Sequence, residues 1–186
     1  MNITFSANRK LKVHDNLLPI EDIRNIHNAL LQAGYSKSEY ARPETSDFRH
    51  WATDIDLEIA QSMPIFNPTM IALDSFSVGS SYKLHRAYVN VASYGDMLYS
   101  HFDCEPGAGE ITALWYISEK WNHEWGGETV FFDDHKDIRA AVLPRPGRLA
   151  LFDGDILHAG RPPNRICFSP RYTLALKFKP IKTSIQ

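Results

Sequence analysis

The sequence has few cysteines and no excess of charge of either sign. Two of its 186 residues are cysteines, Cys104 and Cys167, and so low a count predicts reduced thiols rather than a disulfide framework. The 20 basic and 22 acidic side chains nearly cancel, which leaves a formal net charge of -2. A chain without a strong field of one sign is not expected to attract DNA, RNA or an anionic membrane surface.

Long apolar runs are also missing from the sequence. Residues 1–10 (MNITFSANRK) lack the apolar segment of a secretory signal, and no later run approaches the roughly 20 apolar residues that cross a bilayer. We therefore expect a cytoplasmic protein. With 44% hydrophobic residues, a chain of this length can bury one core, so we predict a single domain over 1–186 and leave its oligomeric state open.

The pattern of apolar residues divides the chain into a helical lead-in at about 1–65 and a β-rich core at about 69–180. Apolar residues recur at helical spacing within 20–33, and a second short helix is expected at 54–62. Later runs are rich in Val, Ile, Tyr, Phe and Thr, as strands are. The predicted strands are 69–77, 82–94, 111–117, 129–132, 148–153, 156–159 and 171–179. This order favours a mainly β sandwich or barrel with helices packed on one face.

The last predicted strand has two chemically different faces. Because side chains alternate along a strand, one face carries Tyr172, Leu174, Leu176 and Phe178, and the other carries Arg171, Thr173 and Ala175. We expect the apolar face to pack on the helix at 20–33 and the polar face to line a pocket. A buried arginine needs an anionic partner, so Arg171 predicts an anion in that pocket.

The tripeptide His101-Phe102-Asp103 indicates a metal site. Residues two apart in an extended segment share a face, so the imidazole and the carboxylate project together. A histidine from a distant strand would complete two imidazoles and one carboxylate, the ligand set of non-haem Fe(II) oxygenases. We choose His158 because it ends a short apolar strand that follows the turn at 153–154.

A second H-x-D pattern, His135-Lys136-Asp137, lies in a run of charged residues at 133–137. Charged neighbours are typical of a solvated turn, and we interpret the pattern in that way. The alternatives to His158 as the third ligand are His85, His123 and His135, none of which lies between two predicted strands.

Five segments of the chain form an ordered set. They are 94–103 (YGDMLYSHFD), 125–132 (WGGETVFF), 146–152 (PGRLALF), His158 and 171–173 (RYT). Together they resemble the prolyl-4-hydroxylase-like branch of the Fe(II)/2-oxoglutarate dioxygenases. The resemblance covers about 82–180 and implies a double-stranded β-helix, or jelly roll, with the N-terminal helices behind the larger sheet.

The resemblance also implies roles for individual residues. It makes His101, Asp103 and His158 the iron ligands and places Arg171 on the distal carboxylate of 2-oxoglutarate. A guanidinium suits that task because its planar fork matches a carboxylate and stays charged when buried. Thr173, two residues on, is expected to add a hydroxyl donor.

Two tyrosines and a second arginine are further candidates. The resemblance places Tyr116 where relatives often hydrogen-bond the distal carboxylate of 2-oxoglutarate, and it places Tyr94 near the co-substrate or the substrate. Collagen-type relatives commonly have lysine where Arg171 stands, and the interval from His158 to Arg171 is longer than in some arginine-bearing relatives. Arg165 is therefore an alternative clamp for the carboxylate.

The implied reaction is hydroxylation of an unactivated C–H bond, with 2-oxoglutarate converted to succinate and CO2. It requires Fe(II), 2-oxoglutarate and O2, with ascorbate as an optional further reductant. Halogenating members of the wider superfamily tend to have Gly or Ala where Asp103 stands, so hydroxylation is favoured. Segments 83–90 and 121–125 are candidates to line the entrance.

The substrate is expected to be a small molecule, either an amino acid or a specialised metabolite, because the chain has no evident peptide-binding extension. A prolyl residue in a peptide is the alternative within the same reaction class. From other classes, a cupin-type metal-dependent isomerase and a non-catalytic binding module stay open. The isomerase would not depend on Arg171, and the module would not depend on His101.

Overall fold

A computed structural model describes residues 1–181. Its first part mixes strands and helices: β1 (Asn2–Thr4), β2 (Lys10–His14), α1 (Ile20–Leu31), β3 (Ser36–Glu39), β4 (His50–Asp54), α2 (Leu57–Ser62) and α3 (Phe66–Phe76). The remainder is built from strands: β5 (Tyr82–Ala92), β6 (Ile111–Ile117), β7 (Thr129–Phe132), β8 (Ile138–Val142), β9 (Arg148–Asp153), β10 (His158–Gly160) and β11 (Arg171–Pro180). None of the described helices is long and apolar enough to cross a membrane.

The strands form two antiparallel sheets. The larger sheet has eight strands in the order β1-β2-β9-β6-β11-β5-β4-β3, and the smaller has three in the order β10-β7-β8. An isolated antiparallel bridge between His101 and His158 continues the smaller sheet beyond β10. This mainly β architecture confirms the predicted fold class.

The main apolar core lies between the larger sheet and the helices. Leu174, Leu176 and Phe178 of β11 are fully buried there, in one cluster with Ile26 and Leu30 of α1. Burial of each such side chain contributes about 1.5–3 kcal/mol to folding. The predicted contact between the apolar face of β11 and the helix at 20–33 is therefore confirmed, and the opposite face of β11 is left for the cavity described below.

The strand predicted at 69–77 is wrong, because this segment belongs to α3. Its buried residues are Thr69, Ala72, Leu73 and Phe76, and these spacings of three and four are helical. Short apolar runs are ambiguous between the two structures. Pro68 does not oppose the helix because it lies in the first turn, where no backbone donor is lost.

The sequence predicted a helical lead-in at about 1–65, but this segment also contains strands. It contributes β1 and β2 to one edge of the larger sheet and β3 and β4 to the other edge. The segment β3 reads SKSE and is mostly exposed, so it lacks the apolar alternation that identifies a strand. The second helix is present, and it begins at Leu57 because the Asp56 side chain accepts hydrogen bonds from the amides of Glu58 and Ile59.

Gly147 precedes β9 with a φ of +68°, and its amide donates to the carbonyl of Tyr116 at 3.0 Å. We expect Gly147→Ala to lower the free energy of unfolding by about 2 kcal/mol, since a left-handed backbone costs most residues roughly 1–2 kcal/mol. An added Cβ would also lie 2.9 Å from the Ile23 side chain, which overpacks the core. Urea unfolding followed by circular dichroism measures the change.

Gly34→Ala is the matched control, because a Cβ there meets no atom within 4 Å. Its free energy of unfolding should stay within about 0.5 kcal/mol of that of the wild type. Equal midpoints for the two variants would contradict the assignment of strain to Gly147.

Candidate metal centre

His101 and Asp103 lie in an irregular segment that is fastened to neighbouring chain by backbone hydrogen bonds. The His101 amide donates to the carbonyl of His158 at 2.9 Å, and the His158 amide donates back at 3.1 Å. The Asp103 amide donates to the carbonyl of Gly154 at 2.8 Å. These bonds bring His101 and Asp103 against β10 although the two segments are far apart in sequence.

The three predicted ligands converge. Their ligand atoms all lie within 4.8 Å of one another. The Nε2 atom of His101 is 3.4 Å from Asp103 Oδ1, and Nε2 of His158 is 3.8 Å from Asp103 Oδ2. Atoms that bind one ion at about 2 Å lie at most about 4 Å apart, so these two pairs have the spacing of a shared metal site.

Both imidazoles present the correct nitrogen to that site. Nδ1 of His101 lies 3.2 Å from the Tyr99 carbonyl, and Nδ1 of His158 lies 2.9 Å from the Ile156 carbonyl. A carbonyl only accepts, so each Nδ1 carries the proton and each Nε2 keeps its lone pair for a metal. Burial lowers the pKa of His158 to about 4, which keeps this ring neutral near pH 7.

Two side chains hold the Asp103 carboxylate. Thr112 Oγ1 donates to Oδ2 at 2.6 Å, and Lys177 Nζ is 2.6 Å from Oδ1. Burial acts to raise the pKa of Asp103, but the neighbouring His158 and Lys177 hold that pKa well below its usual range. The donor set of two neutral imidazoles and one carboxylate is that of an Fe(II) oxygenase.

Arg171 occupies another wall of the cavity that contains these donors. The cavity has a volume of about 200 Å³, and Arg171 is 3% exposed. Its Nε donates to the Gly127 carbonyl at 2.6 Å, and its Nη2 donates to Thr129 Oγ1 at 2.8 Å. Burial lowers the pKa of Arg171, but a guanidinium stays protonated near pH 7.

The guanidinium of Arg171 fits a bound carboxylate. Neither hydrogen bond uses Nη1, and no carboxylate within residues 1–181 forms an ion pair with this side chain. A Cβ on Gly160 would lie 3.4 Å from Nη1, so glycine leaves the space beside that nitrogen open. A buried cation with free donors and open space is suited to one carboxylate of a dicarboxylic acid.

The remaining predicted site residues differ in their placement. Thr173 is buried and lines the cavity with Arg171. Tyr116 is fully buried behind the clamp, where its hydroxyl donates to Thr129 Oγ1 at 2.6 Å and its ring lies 5.3 Å from the Arg171 guanidinium. Tyr94 is 64% exposed and does not line the cavity. Arg165 is exposed in the loop before β11, away from the cavity lining.

The competing histidines lie outside the cluster. Nε2 of His85 is 3.1 Å from the Glu110 carboxylate. His123 and His135 are exposed, and the amide of His135 donates to the Asp133 side chain in the turn between β7 and β8. The interpretation of the second H-x-D pattern as a solvated turn is therefore confirmed.

The mouth of the cavity is charged. Arg86 Nη2 lies 2.6 Å from Glu39 Oε1 and 3.1 Å from Asp54 Oδ1, and Arg86 and Glu39 both line the cavity with Tyr88. Of the two segments expected at the entrance, 83–90 contributes to this lining and 121–125 does not.

Sequence reasoning missed three residues near the ligand groups, namely Thr112, Thr129 and Lys177. Lys177 had a usable signal, since it continues the alternation that places Arg171 and Thr173 on one face of β11. Thr112 and Thr129 had none, because their roles depend on how β6 and β7 meet Asp103 and Arg171 in space.

A comparison with protein families matches residues 89–178 to a family model described as the 2OG-Fe(II) oxygenase superfamily. The matched segment contains the three converging ligand residues and Arg171. None of the curated proteins matches the chain in sequence.

Solved structures of low sequence identity share the fold. A prolyl-4-hydroxylase from Pseudomonas putida has a TM-score of 0.66 at 17% identity, over 92% of this chain and 93% of its own. A prolyl hydroxylase from Trichoplax adhaerens, in complex with a peptide fragment of hypoxia inducible factor, has a TM-score of 0.68 at 18% identity, with coverages of 91% and 83%. HygX from Streptomyces hygroscopicus, with nickel, 2-oxoglutarate and hygromycin B bound, has a TM-score of 0.68 at 14% identity, with coverages of 91% and 82%.

Proposed function

Because residues 89–178 match the model of the 2OG-Fe(II) oxygenase superfamily, we propose that this protein hydroxylates an unactivated C–H bond of a small molecule. The protein is an oxygenase that uses Fe(II) and 2-oxoglutarate. Its substrate, and the roles of its individual residues, are parts of the proposal.

One observation supports the site assignment above all others. The imidazoles of His101 and His158, the carboxylate of Asp103 and the guanidinium of Arg171 line one cavity. A metal site and a carboxylate clamp in the same enclosed space are what a chelating, dicarboxylic co-substrate requires.

In the proposed mechanism the protein positions its reactants and excludes water. When bound, Fe(II) with 2-oxoglutarate and O2 supplies the oxidant that converts C–H to C–OH as 2-oxoglutarate yields succinate and CO2. His101, Asp103 and His158 would hold the metal, and Arg171 and Thr173 would bind the distal carboxylate. His158, Arg171 and Thr173 are buried, and His101 and Asp103 are partly buried. This burial strengthens the interactions and limits side reactions with solvent.

The size of the cavity supports a small substrate. At about 200 Å³ it is below the roughly 300–1,000 Å³ typical of pockets for drug-sized ligands. After 2-oxoglutarate is bound, the remaining space suits the reacting end of a compact molecule. Among the structural neighbours, HygX binds hygromycin B, which is an example of a small-molecule ligand on this fold.

Hydroxylation of a prolyl residue in a peptide is the second candidate, and a specific surface favours it. A wider depression of about 820 Å³ lies beside the H-x-D segment and is lined in part by Arg42, Ser100 and Phe102. An extended peptide would need such an open surface, and the neighbour from Trichoplax adhaerens is bound to a peptide fragment.

Anaerobic titration with Fe(II) and 2-oxoglutarate tests the proposed function directly. We expect a weak visible charge-transfer band that requires both ligands, because the chelate forms only when 2-oxoglutarate binds the metal. Glutarate, which has the same two carboxylates but no keto oxygen, should give no band. If folded protein gives no band with 2-oxoglutarate, the proposed chemistry is wrong and a binding role replaces it.

Release of succinate then distinguishes the two substrate classes. Aerobic reactions are compared with free amino acids, with specialised metabolites and with short proline-containing peptides. Stimulation by the peptides alone would replace the small-molecule proposal with the peptidyl alternative.

A further inference from the structure

The residues that line the cavity include more basic than acidic side chains. Its lining includes the acidic residues Glu39 and Asp103 and the basic residues Arg86, Arg171 and Lys177. Burial lowers the pKa of the lining residue His50, which is therefore neutral near pH 7. Among these lining residues the basic side chains outnumber the acidic ones by one, and Asp54, which is outside the lining, adds a second carboxylate beside Arg86.

Loading the site with its cofactors does not change this balance, because Fe(II) and the 2-oxoglutarate dianion have equal and opposite charges. This step rests on the proposed function. Arg171 is matched by the distal carboxylate of 2-oxoglutarate, and Arg86 is matched by Glu39 at 2.6 Å and by the outer carboxylate of Asp54 at 3.1 Å. The near carboxylate of 2-oxoglutarate and Asp103 together match the metal.

Lys177 is the cation whose carboxylate partner is also a proposed metal ligand. Its side chain is 11% exposed, and its sole carboxylate contact within residues 1–181 is with Asp103, at 2.6 Å. Once Asp103 binds a metal, its charge is shared with a stronger cation. A buried ammonium without a matching anion is costly, so the loaded cavity favours a further negative group beside Lys177.

The position of Lys177 assigns that group to the substrate. Arg171 and Lys177 lie on the same face of β11, and six residues at about 3.3 Å each separate them by roughly 20 Å. Both carboxylates of 2-oxoglutarate are already engaged in the proposed complex, the distal one by Arg171 and the near one by the metal. Lys177 lies toward the charged mouth, where its Nζ is 5.6 Å from the Tyr88 ring and Arg86 is 4.3 Å from the same ring.

We propose that Lys177 binds an anionic group of the substrate, a carboxylate in the simplest case, and so selects acids over their neutral amides. Tyr88 cannot serve as an anionic partner of Lys177, because burial raises the pKa of its phenol to about 12. A carboxylic acid that enters past Arg86 would place its charge on Lys177 and its adjacent carbon chain next to the metal ligands. An amino acid satisfies this requirement, as does any small acidic metabolite.

Propionate and propionamide test the proposal, since they have similar shapes and differ in charge. Protein is loaded anaerobically with Fe(II) and saturating 2-oxoglutarate, and each probe is titrated at constant ionic strength while the visible band is followed. We expect propionate to perturb the band at a concentration about tenfold lower than propionamide, because a charge-assisted hydrogen bond is the stronger one.

Three variants locate the effect. Lys177→Met should remove the preference for propionate, and Lys177→Arg should restore most of it because the charge is kept. Lys179→Met is the matched control, since Lys179 is on the same strand but its side chain is 47% exposed and pairs with Glu110. It should behave as the wild type.

The outcomes separate this inference from the proposed function. If the wild type gives no band, the proposed function fails before the probes are added. If the band forms but propionate and propionamide act alike, or if Lys177→Met keeps the preference, only the role of Lys177 is overturned. Loss of the band in Lys177→Met would also overturn it, because Lys177 would then serve the metal carboxylate alone.

Discussion

Replacing His158 with alanine should abolish Fe(II) binding at the site and, with it, all turnover of 2-oxoglutarate. Loss of an outer-shell partner typically costs about 10- to 100-fold in metal affinity, and loss of one of three protein ligands should cost more. The visible band should not form at any attainable Fe(II) concentration. Metal affinity is measured by anaerobic titration, and turnover by release of succinate.

The choice of His158 variants must separate the loss of a metal ligand from the loss of side-chain packing. His158 is 5% exposed, and its ring centroid lies 4.8 Å from that of Phe152 and 5.8 Å from that of Phe131, so alanine also leaves a cavity. His158→Gln fills more of the volume without an imidazole and should bind Fe(II) as poorly as His158→Ala. His135→Ala removes the exposed histidine of the second H-x-D pattern and should leave the band unchanged. A normal band in His158→Gln would remove His158 from the ligand set.

Replacing Arg171 should raise the concentration of 2-oxoglutarate needed for half-maximal band intensity by about a hundredfold. A buried charged hydrogen-bond partner of a carboxylate contributes roughly 1.5–3 kcal/mol, and removal of the charge also leaves that carboxylate desolvated. Fe(II) binding without 2-oxoglutarate should change little, because the hydrogen bonds of Arg171 go to Gly127 and Thr129 and not to the proposed metal ligands. Arg171→Met keeps the volume of the side chain, and Arg171→Lys should recover part of the affinity.

Arg165→Ala is the decisive comparison for the clamp. Arg165 is exposed, so its loss should leave the affinity for 2-oxoglutarate unchanged. If Arg165→Ala weakens 2-oxoglutarate and Arg171→Met does not, the clamp has been assigned to the wrong arginine. A metal-dependent isomerase of the cupin type would be indifferent to both variants, which also separates that class from the oxygenase.

The sequence predicted those parts of the site whose signal lies in one short segment. His101 and Asp103 are two residues apart, and Arg171 and Thr173 follow the alternation of a strand, so their relative directions do not depend on the rest of the fold. His158 was found from its place after a turn. All five line one cavity, although their roles as ligands and clamp stay predictions.

The misses have a common cause, since each depends on contacts that no local pattern records. The family resemblance placed Tyr94 near the co-substrate or the substrate, but β5 ends at Ala92 and Tyr94 is exposed. The strand expected at 69–77 is a helix whose buried residues face the larger sheet. Thr129 joins Arg171 to Tyr116 through its hydroxyl, which no spacing in the sequence reveals. The expected cytoplasmic location and the absence of nucleic-acid binding likewise stay predictions.

The paired backbone hydrogen bonds between His101 and His158 have a consequence for metal affinity that concerns entropy. In a flexible site, capture of an ion would have to order both rings and the backbone that carries them, at a cost of about 1–2 kcal/mol for each backbone residue fixed. Here the backbones of both histidines are tied to each other, and each Nδ1 is held by a carbonyl. Folding has therefore already imposed that order, and nearly all of the free energy of coordination remains available to hold the metal.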